Sequence, residues 1–151
     1  MLTKNLDDIL KEFGNTMGLD LAFDGNGVCK LEIADTVGIS IRASEEDGTL
    51  TISSVLRDDL PDPISYSAIL DLLALALDPA LRGGNSPVVG RDDDSGMLIM
   101  YEVATPSVLN TTPLADIFAD FIDTYRAVSV LLDNPTADLQ PARAEVGMIQ
   151  A

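Results

Sequence analysis

The sequence predicts an α+β domain: a twisted antiparallel sheet packed with helices, in the order α-β-β-β-β-α-β-β-α. Three observations predict it. Apolar residues recur at three- and four-residue steps near both ends of the chain. They alternate with polar neighbours in two central blocks, and clusters rich in Gly, Asp and Asn separate the alternating runs. With 151 residues, 46% of them apolar, the chain is large enough to bury one core. No repeat or linker divides it, so residues 1–132 are expected to form one domain and 133–151 a loose C-terminal tail.

Residues 2–17 carry one apolar stripe, Leu2, Leu6, Ile9, Leu10, Phe13 and Met17, which predicts an amphipathic helix. Asn5 or Thr3 can cap it, Asp7 and Asp8 suit the positive end of its dipole, and Gly18 is a stop signal. The period then changes to two. Leu19, Leu21 and Phe23 predict a first strand, Asp24-Gly25-Asn26-Gly27 a tight turn, and Cys29, Leu31 and Ile33 a second strand with Lys30 and Glu32 on its other face. Val37, Ile39 and Ile41 predict a third strand, and Leu50 to Ser53 a fourth after Glu46-Asp47-Gly48. This is a meander with one wet face.

Leu60-Pro61-Asp62-Pro63 ends it, and a helix is predicted from about Ser65 to Leu81. Between Ala68 and Leu77 only Asp71 is polar. A helix apolar nearly all round must be covered on more than one side. It reads as a dimer-interface helix, one side on the chain's own sheet and the other on a second copy; the alternative is a helix central to the fold. After Gly83-Gly84, a short strand is expected around Val88 and Val89, then the turn Asp92 to Gly96. The strand Met97 to Val103 is apolar on both faces apart from Glu102, which again suggests a strand covered twice. Thr112 and Pro113 are expected to open the last helix, with a stripe from Leu114 through Phe118, Phe121 and Tyr125 to Leu132.

Chemistry is hard to place on this sequence. It holds no histidine and one cysteine, which removes histidine-based triads and zinc sites. Cys29 reads as a buried, inert thiol on the inward face of its strand. Asp92, Asp94 and Gly96 echo the start of a calcium loop, but Val103 stands where the closing glutamate belongs. Gly25 and Gly27 lack the lysine and helix of a phosphate loop. No catalytic, cofactor-binding or metal-binding residue is therefore assigned, and no cofactor is expected.

Acids outnumber bases 25 to 9, a formal net charge of −16, which disfavours nucleic acid and anionic membranes as partners. The opening residues lack the apolar stretch of a signal peptide, and no run approaches a membrane span. The expected location is the cytoplasm.

The helix leading into Met17-Gly18-Leu19-Asp20-Leu21-Ala22-Phe23-Asp24, followed by Gly27 to Ile33, is a recognisable pattern. So are the Leu-rich segment Ile64 to Leu81, the stretch Gly83 to Val103 and the closing helix Pro113 to Leu132. Over about residues 2–132 the chain resembles the class I type III secretion chaperones, the Tir chaperone or CesT family. The resemblance implies a homodimer that binds the N-terminal chaperone-binding segment of a secreted effector and keeps it soluble and secretion-competent. That segment wraps the dimer in extended form, adding a strand to a sheet edge and seating apolar side chains in grooves. It implies dimer contacts at Leu72, Leu73, Leu75, Leu77, Ile99 and Tyr101. Effector contacts are implied at Leu6, Leu10 and Phe13 on the first helix and at Leu21, Phe23 and Leu31. The alternatives are a chaperone-like sensory or regulatory binding domain without a secretion client, and a small carboxylate enzyme, which would need a deep pocket with convergent acids.

Overall fold

The computed structural model describes residues 1–33, 37–59, 70, 72–73 and 87–133. Helix α1 (Leu6–Met17) is followed by strands β1 (Val28–Ile33), β2 (Val37–Ser44) and β3 (Thr49–Arg57). Then come β4 (Val88–Arg91), β5 (Leu98–Ala104), a short helix α2 (Pro106–Thr111) and the long helix α3 (Leu114–Asp133). The strands form one antiparallel sheet in the order β1-β2-β3-β5-β4.

Helix α1 starts later than its apolar stripe suggests. Asn5 caps it by accepting the Asp7 N–H at 2.7 Å, and Gly18 closes it at φ 70°. Thr3 is used elsewhere: its N–H and hydroxyl donate to Asn110 Oδ1 at 2.8 and 2.9 Å, tying the N-terminal strap to α2. Leu6, Ile9, Leu10 and Phe13 face inward, and the Phe13 ring meets Phe118 of α3 at 4.8 Å between centroids.

The strand expected at residues 19–23 is not formed. Leu19 N–H bonds the Gly14 carbonyl at 2.8 Å, finishing α1, and Leu21 packs on Gly14. The segment has no regular structure, with Leu21 and Phe23 partly buried, and pairs with no described strand. Alternation reports alternating burial, not a hydrogen-bond ladder, so the same pattern arises from a chain laid along a core. A Cβ added at Gly14 would stand 2.7 Å from the Leu19 carbonyl oxygen. Gly14→Ala should therefore lower stability by about 1–3 kcal/mol, read as a reduced urea midpoint, although alanine is the better helix former.

The inner sheet face supplies Cys29, Ile39, Ile41, Leu50, Ile52, Leu56, Leu98, Met100 and Ala104 to one core with α1 and α3. Ser54 is also buried there and donates to the Gly38 carbonyl at 2.7 Å, which satisfies its hydroxyl. At the far end of β3 the pairing with β5 shifts between Val55 and Arg57. There Tyr125 Oη donates to the Val55 carbonyl at 3.1 Å. Arg57 donates to Ser129 Oγ and its carbonyl at 3.1 and 3.0 Å and to Asp133. A cation thus meets the negative end of α3 and fastens it to the sheet.

Two further differences concern the C-terminal third. Thr112 ends α2 instead of capping the last helix, its N–H bonding the Val108 carbonyl at 2.8 Å. The same Thr-Pro signal occurs at Thr105-Pro106 and opens α2, an element the periodicity did not indicate because it spans only six residues. The helix expected over 65–81 is described only at Leu70, Leu72 and Leu73, which are helical; its remainder and residues 134–151 lie outside the described residues.

Candidate functional site

Strand alternation divides the sheet surface. On β5, Leu98, Met100, Glu102 and Ala104 point into the core, and Ile99, Tyr101 and Val103 point away from it. The expectation of an apolar strand covered twice is met inward by α1 and α3. Outward, Tyr101 is 40% exposed and Val103 39% exposed, and Val55, the β3 partner of Ile99, is 40% exposed. These residues form an apolar patch, with Ser53 of β3 opposite Tyr101 and Thr51 opposite Val103. The β1–β2 half of the outer face is polar, with Lys30 and Glu32 on β1 and Ser40 and Arg42 on β2, and Gly38 opposite Glu32 adds no side chain.

Glu102 is the polar exception on β5, and it lies inside, 4% exposed. Burial, reinforced by the negative charge of Asp120 on α3, pushes its pKa from 4.5 to about 7. Burial also pushes the Cys29 thiol up, which suits the inert role read from the sequence. The Asp92 turn is self-contained. Ser95 N–H and hydroxyl both donate to Asp92 Oδ2, at 3.1 and 2.5 Å, and hold that carboxyl below its usual range.

The residues expected to contact an effector separate into two groups. Leu6, Leu10 and Phe13 are 1%, 0% and 3% exposed, so they build the core instead of presenting a groove. A strict helical stripe marks a buried face, and α3 covers this one. The cleft present on that side, about 240 Å³, runs between α1 and the α2–α3 corner past Thr3, Glu12, Thr16, Asn110 and Pro113, with Phe13 at its floor. Leu21, Phe23 and Leu31 are partly buried against the core and retain accessible surface beside β1.

Among the residues expected at a dimer contact, Ile99 and Tyr101 share the outer face. Leu72 packs partly against the core, and Leu73 is 64% exposed. Leu75 and Leu77 lie outside the described residues. Val55 and Val103, not among the residues expected there, extend the patch around Tyr101. Their signal was present: both stand on the face opposite the buried residues of their strands.

Among the described residues no helix is long and apolar enough to cross a membrane. No curated protein matches the sequence. Solved structures do match the fold. The HopA1–SchA chaperone–effector complex aligns at 24% identity and a TM-score of 0.65, over 81% of this chain and 91% of that one. The Yersinia pestis type III secretion chaperone SycH, in complex with a stable fragment of YscM2, aligns at 18% identity and a TM-score of 0.64, over 82% and 99%. The ExoU–SpcU complex from the type III secretion system of Pseudomonas aeruginosa aligns at 20% identity and a TM-score of 0.61, over 85% and 98%. The Tir chaperone protein (CesT) family itself matches residues 8–129, from the first helix through most of the last. With four-fifths of its length matched and the expected sheet-and-helix architecture in place, this chain belongs to the Tir chaperone (CesT) family.

Proposed function

We propose that this chain is a type III secretion chaperone that binds the N-terminal segment of a secreted effector and keeps it soluble and secretion-competent. The observation that carries this reading is the family match over residues 8–129. The fold is consistent with it: the sheet ends in strands, β1 and β4, each with one edge unpaired among the described residues. An extended peptide can add to such an edge through its backbone, with selection by alternate side chains. Leu21, Phe23 and Leu31 are the proposed apolar contacts. The chain works by binding, without making or breaking a bond, as one domain over residues 1–132 in the cytoplasm.

A tagged copy, co-expressed with secreted proteins of the source cell, should recover a client through that client's first hundred or so residues. Recovery of none across the secreted set would contradict the proposal.

Dimerisation is assigned to the apolar patch on the outer face, at Val55, Ile99, Tyr101 and Val103, together with the Leu-rich segment around Leu72 and Leu73. An isolated chain would leave this patch in water, which a second copy relieves. Tyr101→Asp should convert a dimer to a monomer by light scattering while leaving the far-UV circular dichroism unchanged. A dimer of undiminished stability would remove this patch from the interface.

A further inference from the structure

The backbone geometry at the edge of β1 limits where, and to what, an extended client can pair. Asp24 N–H donates to the Val28 carbonyl at 2.9 Å, and Val28 N–H donates to the Asp24 carboxylate at 3.0 Å. One residue earlier, the Gly27 carbonyl accepts from Ala43 of β2 at 2.8 Å. In an antiparallel ladder successive residues turn their N–H and C=O to opposite sides. Val28 therefore faces away from β2, and so do Lys30 and Glu32, whereas Cys29, Leu31 and Ile33 face β2. Asp24 has already taken both Val28 groups. On this edge the outward N–H and C=O groups of Lys30 and Glu32 remain, and no described strand pairs with them.

The side chains add a charge pattern. Lys30 and Glu32 are exposed on the outer face, one basic and one acidic, two residues apart. Leu31, between them, points to the inner face and is partly exposed. Directly opposed opposite charges stabilise a strand pair and like charges weaken it.

The geometry points to Lys30 and Glu32 as specificity-determining residues: they set the register of an added antiparallel strand and select a client segment of pattern apolar-basic-apolar-acidic-apolar. Its basic residue stands opposite Glu32, its acidic residue opposite Lys30, and its central apolar residue beside Leu31. The Asp24 clasp stops the pairing at Val28. This inference rests on the chaperone reading and specifies the segment that would be recognised.

Two synthetic peptides test it, Val-Arg-Val-Glu-Val and the charge-reversed Val-Glu-Val-Arg-Val, both with blocked ends, titrated into ¹⁵N-labelled protein. The first should perturb the amides of Lys30 and Glu32 and bind roughly fivefold tighter than the second. Lys30→Pro removes an outward N–H while leaving the bonds to β2 in place, as an edge strand tolerates. It should abolish those perturbations with the amide spectrum otherwise folded. Lys30→Ala, which keeps the N–H, should retain binding and reduce the preference between peptides to about twofold, because Glu32 still discriminates. Absence of perturbation at β1, perturbation of another surface, or equal affinity for the two peptides would overturn the inference. So would a client captured equally well by the wild type and by folded Lys30→Pro, an outcome that leaves the chaperone reading intact.

Discussion

Phe121→Ala should lower the unfolding free energy by about 4 kcal/mol, since Phe121 is the largest fully buried side chain among the described residues. Phe121 is fully buried at the middle of α3, in the core that α3 shares with α1 and the inner sheet face. Removing its ring loses the transfer free energy of the aromatic carbons and leaves a cavity that helices fastened at both ends cannot close. At one end Arg57 and Tyr125 tie α3 to β3, and at the other the Phe118 ring packs at a tilt against Phe13. A domain of this size has about 5–15 kcal/mol in total, so the variant should unfold at a much lower temperature or fail to accumulate. Thermal denaturation followed by circular dichroism checks it. A change in midpoint of only one or two degrees would mean that the core is not packed around α3.

Glu102→Gln should stabilise the protein, and only above mildly acidic pH. The folded carboxyl titrates at about 7 instead of the ordinary 4.5, so between those values the native chain holds a proton that the unfolded chain has released. Stability contributed by this group is therefore full below pH 4.5 and falls as pH rises through 7. A difference of that size corresponds to about 3 kcal/mol at pH 8, an upper value because neighbours relax around a buried charge. Glutamine keeps the volume and carries no charge at any pH. Urea denaturation of both proteins from pH 5 to 8 should show a gap in favour of the variant that opens with pH. A constant gap would show that Glu102 is solvated or compensated in the native state.

These expectations depend on features with unequal signatures in the sequence. Helix α1 was legible because several local signals agree: the stripe from Leu6 to Phe13, the Asn5 cap, the early acids and Gly18. Strands β1, β2 and β3 were legible through alternation and through the turns at residues 24–27 and 46–48. The stretch Leu19 to Phe23 carries the same alternation without a ladder, because its partners are Gly14 and the core. Helix α2 is too short for a period to show, and its Thr-Pro start is shared with Thr112-Pro113.

The functional surface was less legible than the fold for a related reason. Apolar periodicity identifies residues that avoid water, and it does not say whether the molecule's own core or a partner covers them. Leu6, Leu10 and Phe13 went to the core. Tyr101 and Ile99, equally apolar in sequence, went to the outer face. The distinction depends on which face of β5 meets α1 and α3, a tertiary fact. The Asp24 clasp on Val28 is likewise invisible as a pattern, since an Asp-Gly-Asn-Gly turn predicts a hairpin and not which backbone groups its carboxylate will occupy.

The central claim is that this chain keeps an effector segment soluble by covering it. The direct measurement is the soluble fraction of the client's N-terminal hundred or so residues, expressed alone and together with this chain, followed by gel filtration. The segment should be largely insoluble alone, and soluble and co-eluting with the chaperone when both are present. A segment that is equally soluble without the chain, or that stays in the pellet with it, would contradict the account.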